Sequence, residues 1–245
     1  MSDEKEENNS LIKADDHGLT TRSNSLARRG LEQIQRSKKR VLHFPNNVSL
    51  GILYFKEQDW CHYLSGEPLS SGICKNPIGE ATGTIELSRD QFIYLKLTKE
   101  GLKHIYALTR LKPDDIDGIG FENENVDDSA LSYISKLTGL KYIGLSYSKI
   151  SDFSITTIRS LNNLIEINLC GTKVTDEGLR HLSNLKQLQV LDLSSTQITD
   201  EGLRHLSNLK QLQSLKLQSD VWIIKQRLLY TIQVLPVKDC VIYPN

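Results

Sequence analysis

The side chains able to do chemistry are few and scattered. Four cysteines stand at Cys61, Cys74, Cys170 and Cys240, with no Cys-x-x-Cys pair among them. Cys61-His62 with Cys74 and His43 is the one grouping whose types would suit zinc. Its spacing fits none of the paired patterns that build a tetrahedral site, so no metal is expected. The spread of the cysteines reads as reduced thiols rather than a disulfide framework, with a local Cys61–Cys74 bridge as the alternative if the protein is exported. A thiol enzyme needs an activated thiolate. Cys170 has no histidine base nearby in sequence, and Cys240 reads as a buried residue. No catalytic group and no cofactor follow from these residues.

His181 and His205, the remaining metal candidates beside their acidic neighbours, lead instead to the dominant signal. Residues 175–189 read TDEGLRHLSNLKQLQ, and residues 199–213 repeat them 24 positions later. The two histidines were copied with everything around them, and they read as surface helix residues. A fixed period of this length means stacked copies of one supersecondary unit. Older copies lie beneath the identical pair. Asp200 falls on Asp176, Asp152 and Asp128, and Leu191/Leu193 falls on Leu215/Leu217, Ile167/Leu169, Ile143/Leu145, Ile119/Phe121 and Leu95/Leu97.

Each apolar pair is a short strand with both residues on one face. Leu203, Leu206 and Leu209 share a helix face in the second half of the unit. Asp200 is the expected N-cap, with Thr199 the competing choice, and Glu201 adds favourable charge to the first turn. The expectation is one strand and one short helix per unit, with parallel strands and right-handed crossovers. Residues between the apolar pairs then face the other side of the sheet in columns. One column holds Tyr94, Gly118, Tyr142, Glu166, Val190 and Ser214; the next holds Lys96, Gly120, Gly144, Asn168, Asp192 and Lys216; a third holds Thr98, Glu122, Ser146, Cys170, Ser194 and Gln218. Six strands at ~4.8 Å spacing make a face roughly 24 Å long. The candidate partner-binding residues are Tyr94, Lys96, Tyr142, Glu166, Asn168, Asp192 and Lys216. Gly118, Gly120 and Gly144 are expected to leave a flat patch beside Tyr142, the best anchor because aromatics are enriched at binding hot spots.

The run Leu188-x-x-Leu191-x-Leu193-x-x-Thr196-x-Ile198 resembles the leucine-rich repeat template. The likeness is clear from about Leu95 to Leu217. It implies an α/β fold, a horseshoe solenoid with parallel strands on the concave face and short helices on the convex face. Thr172, Thr196 and Ser148 stand where the template has Asn or Cys. A hydroxyl makes fewer bonds than an amide, so a less firmly held turn is expected. The phrase I-T-D-E-G-L-R-H-L is similar to bacterial, planctomycete-like repeats related to those of F-box adaptors. What the resemblance implies is a non-catalytic module that binds another protein through its concave sheet. The alternative it implies is a substrate-recognition adaptor of a ubiquitin-ligase-like complex, although residues 1–40 are too polar for a convincing F-box. Bacterial repeat ligases carry a separate catalytic domain, for which no room is expected after the last repeat.

The ends read differently from the array. Residues 1–24 are polar and expected to be disordered. Residues 25–94 are read as a basic capping helix followed by degenerate repeats with a loop insertion. That basic run is Arg28, Arg29, Arg36, Lys38, Lys39 and Arg40, and residues 41–110 carry the degenerate units. Val48–Phe55 and Thr84–Leu87 read as strands, and Gly and Pro make 64–83 a loop. The regular array spans 95–219. Residues 220–245 form a C-terminal cap, with Arg227–Ile232 as its helix and Val241 and Tyr243 in a last short strand. Thirty Lys and Arg balance thirty Asp and Glu, for a net charge of zero. That argues against bulk nucleic-acid binding, which leans on a positive field. No segment has the length of a membrane span and none reads as a signal peptide. The expected setting is a cytoplasmic monomer whose partner is another protein.

Overall fold

A computed structural model of the chain describes residues 39–56, 76–121, 126–219 and 239–244. The strands are β1 (Lys39–His43), β2 (Gly51–Lys56), β3 (Asn76–Glu80), β4 (Thr84–Ser88), β5 (Phe92–Leu97), β6 (Gly118–Gly120), β7 (Tyr142–Gly144), β8 (Glu166–Asn168), β9 (Val190–Asp192), β10 (Ser214–Ser219) and β11 (Asp239–Pro244). β1 and β4 form a two-stranded sheet. The other nine run in the order β11-β10-β9-β8-β7-β6-β5-β2-β3. From β5 to β11 every pairing is parallel. A mostly parallel sheet with short helices is an α/β architecture.

By internal contacts the chain divides into residues 1–40 with 87–90 and residues 41–86 with 91–245. In the first unit, an Arg40 guanidinium nitrogen donates to the Arg89 carbonyl at 2.8 Å and Arg89 Nε donates to the Lys39 carbonyl at 3.2 Å. Lys39 and Arg40 therefore lie in a strand, not in the basic helix expected there. The rest of that run and the 1–24 tail lie outside the described residues, as do residues 57–75 and Arg227–Ile232.

The second unit carries the repeats. Leu95, Ile119, Ile143, Ile167, Leu191 and Leu215 pair one above another in register and are all fully buried. Leu179, Leu182, Leu203, Leu206 and Leu209 from the helical halves are buried too. A leucine withdrawn from water contributes about 1.5–3 kcal/mol, and here its surroundings come from adjacent repeats as well as its own. The helical halves are short. They are α-helical at Asp152–Ile158 and Asp176–Leu182, 3-10 at Asp128–Ile134, and a turn of α-helix at Asp200–Leu203 running into 3-10 at Arg204–Asn208.

The N-cap is Thr199, not Asp200: its hydroxyl accepts from the Glu201 N–H, and Thr175 and Ser151 do the same for their helices. The aspartates reach to the next repeat instead. Asp152 accepts from the Thr175 N–H at 2.8 Å and hydroxyl at 2.6 Å, and Asp176 accepts from Thr199 at the same two distances. Asp128 accepts from the Ser151 N–H at 2.8 Å and from the Ser151 and Ser154 hydroxyls. Position 154 is Gly178 and Gly202 in the next two units. A Cβ on Gly178 would lie 2.5 Å from the Asp152 carboxylate, and one on Gly202 would collide with that of Asp176. The glycine of T-D-E-G-L is thus the room left for the preceding repeat's carboxylate.

The strand-to-helix turn also repeats. Tyr147, Gly171 and Ser195, 24 residues apart, all take positive φ, at 56°, 68° and 54°. The following hydroxyls of Ser148, Thr172 and Thr196 donate to the carbonyls of Leu145, Leu169 and Leu193 at 2.6, 2.7 and 2.5 Å.

Residues 41–97 depart from the degenerate repeats expected there. β2 pairs antiparallel with both β3 and β5, with a bulge at Leu53/Tyr54 opposite β3. Residues 76–80, read from sequence as loop, are strand β3. The unit after β5 is short: Thr98 caps the helix Lys99–Leu102 directly. A Cβ on Gly101 of that helix would collide with the Leu50 carbonyl oxygen, so only glycine lets this turn seat against the start of β2. At the other end, the last strand expected around Val241 and Tyr243 is β11, which sets Cys240 opposite Leu215 and Ile242 opposite Leu217.

Two outcomes follow. Leu193→Ala, at a site 2 % exposed, lowers stability by ~2–5 kcal/mol in urea unfolding, with an unchanged slope. The second concerns acid. Burial pushes the Asp128 carboxyl up, but the Ser151 and Ser154 hydroxyls and N–H groups outweigh it and hold it below its ordinary 3.8. A depressed folded pKa adds stability that is complete above the unfolded value and disappears as pH falls through the folded one. Asp128→Asn is therefore less stable at neutral pH, and its urea midpoint falls less steeply than the wild type's below pH 3.8.

Candidate functional site

Strand register sets the outward residues in two unbroken columns across six strands. Tyr94, Gly118, Tyr142, Glu166, Val190 and Ser214 form the first, and Lys96, Gly120, Gly144, Asn168, Asp192 and Lys216 the second. All seven candidate residues therefore share one sheet face. Their accessibility differs sharply. Tyr94, Tyr142, Glu166, Asn168 and Lys216 are 1, 0, 2, 5 and 4 % exposed, whereas Lys96 and Asp192 are only half-buried.

The flat glycine patch expected beside Tyr142 is not open. A Cβ on Gly118 would come 2.7 Å from Tyr94 Cδ2 and 3.1 Å from Tyr142 Cβ, and one on Gly120 would collide with the Tyr94 hydroxyl. The Tyr94 ring lies over both glycines. Tyr94 and Tyr142 form a core cluster with Tyr54 and Phe92 against it, Phe92 meeting Tyr142 edge to face at 4.9 Å. The same stacking that would serve a partner is used inside the fold. Burial, then the charges of Glu166 and Asp117, push the Tyr142 phenol far above its ordinary value, so it stays neutral. Asp117 itself is engaged: Oδ2 accepts from the Ile93 N–H at 3.0 Å and Oδ1 meets Lys141 Nζ at 2.9 Å.

The face changes character toward β8–β10. Asn168 Oδ1 accepts from the Cys170 N–H at 2.9 Å, and Asp192 Oδ1 accepts from the Ser194 N–H at 3.0 Å. Each side chain thus closes the turn that follows its own strand. Beside them stands a residue that sequence reasoning missed. Tyr147 is 63 % exposed. Its N–H donates to the Cys170 carbonyl at 2.7 Å, and a Cβ on Gly171 would lie 2.6 Å from its ring. The neighbouring Cys170 side chain, then burial and the charge of Asp192, push the Tyr147 phenol above its ordinary value. Burial raises the Cys170 thiol despite the opposing influence of the Tyr147 phenol, which makes it a poor nucleophile at neutral pH. The signal for Tyr147 was its place one residue before the turn hydroxyl, where its neighbours carry Gly171 and Ser195.

The metal candidates do not assemble. Among the described residues, no group of three His, Cys, Asp or Glu side chains is placed to hold a metal ion. His181 Nε2 lies 3.6 Å from Glu177 on its own helix, and His43 Nδ1 lies 3.3 Å from the Thr84 hydroxyl. Cys61, His62 and Cys74 lie outside the described residues. No described helix is long and apolar enough to cross a membrane.

The tyrosine–glycine packing is directly testable. Gly118→Ala displaces Tyr94 or Tyr142 and lowers stability by about 1–3 kcal/mol in thermal or urea unfolding.

The Leucine Rich repeat family model matches residues 185–207, a segment that runs from the end of one helical half through β9 and into the next helix. No curated protein matches the chain. Among solved structures it is similar to an internalin from Listeria monocytogenes, with TM-score 0.38, 18% identity, and 65% of this chain and 51% of that one covered. The chain thus spans about half the length of the internalin. It is also similar to the actin-binding site 2 of leiomodin-1, with TM-score 0.38, 13% identity and coverage of 54% and 86%. For the TLR13–ssRNA13 complex the figures are TM-score 0.36, 17% identity and coverage of 51% and 19%. The chain is thus similar to leucine-rich repeat proteins, with the family match itself falling on residues 185–207.

Proposed function

We propose that the chain is a non-catalytic module that binds another protein through the outward face of β5–β10. In this reading the array curves as a horseshoe and that face is its concave side. One observation carries the proposal: six parallel strands hold their outward residues in two continuous columns. A regular platform of that kind presents many side chains at fixed spacing and can take part of a domain surface or a peptide. Leucine-rich repeat proteins are typically interaction modules, and the raised Cys170 thiol supports the same reading.

The seven candidate residues divide by role. Lys96 and Asp192, half-buried, are the contacts a partner reaches. Tyr94 and Tyr142 set the shape beneath it, and Glu166, Asn168 and Lys216 fix the charge and turn geometry around it. The working form is a monomer in a reducing compartment, the cytoplasm, with no nucleic acid, cofactor or metal.

The test is affinity capture from the native cell with the intact chain and with Lys96→Ala plus Asp192→Ala. Neither substitution removes a core side chain, but Asp192→Ala gives up the bond from the Ser194 N–H, so affinities are compared at a temperature where thermal unfolding shows the double variant still folded. The expected result is a partner held at least about tenfold less tightly by the variant, a difference of ~1.4 kcal/mol. Equal affinity of the folded variant for that partner refutes binding through this face.

A further inference from the structure

The stretch of the face at β7–β9 is built differently from the aromatic-filled start at β5. Tyr147 keeps an aromatic ring in solvent, 63 % exposed, from a backbone at φ 56° that L side chains rarely adopt. The ring is not loose. Gly171 leaves the space beneath it, and the Tyr147 N–H donates to the Cys170 carbonyl at 2.7 Å. Across the next rung, the Gly171 N–H donates to the Ser194 carbonyl at 2.8 Å, and the Ser194 N–H donates to Asp192 Oδ1 at 3.0 Å. These bonds tie ring and carboxylate to one rigid frame spanning three repeats. Asp192 is half-buried, and its charge is felt at both Tyr147 and Cys170.

The charge balance of this stretch has a sign. Glu166 and Asp192 on β8 and β9 face one ammonium, Lys216 on β10, and Lys216 is 4 % exposed. An approaching group meets the ring and the Asp192 carboxylate before it meets the lysine. A ring face next to a carboxylate attracts a cation, arginine above all, because the guanidinium stacks and pairs at once.

We propose that Tyr147 and Asp192 form a seat for a basic side chain, arginine or lysine, on the partner protein. This rests on the interaction-module reading above and names the chemistry of its contact. An acidic segment is disfavoured there, since it would meet Asp192 while Lys216 stays covered.

The test uses the full chain and a phage-displayed library of random eight-residue peptides. Enriched peptides are synthesised and measured against wild type, Tyr147→Gly and Asp192→Asn. Glycine accepts positive φ freely, so Tyr147→Gly removes the ring while the thermal midpoint stays near that of the wild type. The expected result is enrichment of peptides with an Arg or Lys. Affinity should fall about tenfold when that residue becomes Gln, and by a similar factor with either protein variant. Enriched peptides lacking a basic residue overturn the proposal, as do basic peptides whose affinity survives either substitution. Peptides of that kind that still fail on the Lys96→Ala plus Asp192→Ala chain leave the interaction face standing, so the two readings fail separately. A library that yields no binder counts against both.

Discussion

The carboxylate of one repeat holds the helix cap of the next, and the remaining features of the array are arranged around that bond. Asp128, Asp152 and Asp176 each accept from a backbone N–H and a hydroxyl of the following Ser or Thr. That hydroxyl in turn accepts from the N–H of the second residue of its own helix. A charged acceptor bonded to two donors is stronger than a neutral pair. It also fixes the stacking distance between helices that are too short to be stable alone. The cost is space, which is why Gly178 and Gly202 stand where any Cβ would press on the carboxylate. Ser154 solves the same problem in the older unit by donating to it.

The strand side is held by different means. Apolar pairs stack in register beneath the sheet, while turn hydroxyls and Asn168 and Asp192 close the exits of the strands. Because both sides advance by one repeat at a time, the outward columns stay aligned over six strands. Alignment does not make the columns equally accessible. At β5–β7 the face is filled from within by Tyr94, Tyr142, Phe92 and Tyr54. At β7–β9 an exposed ring and a partly exposed carboxylate remain on a bonded frame. The functional asymmetry of the face is therefore a packing result, produced by large aromatics beside glycines at one end and by small polar residues at the other.

The period, the identity of the buried leucines, the register of the outward columns and the last strand were all legible in the sequence. Each is a local pattern multiplied by repetition: a two-residue alternation tells which side of a strand a residue takes, and a 24-residue offset tells which residues are neighbours. Offset alone was enough to place Tyr94, Gly118 and Tyr142 side by side. It also showed Thr199 and Asp200 together at the helix start, without saying which of them caps.

What the tertiary structure alone decided depends on contacts between units. Asp200's counterparts reach to the following repeat, which no propensity within one repeat encodes, so the cap fell to Thr199 and its equivalents. Whether Gly118 and Gly120 open a surface or receive a ring depended on the Tyr94 rotamer. The antiparallel pairing of β2 with β3 and β5 has no periodic signature to betray it. The sequence by itself determined how the chain repeats, because repetition is written in spacing. Only the folded chain decided which outward residues meet water, because burial is set by the neighbours that pack over them.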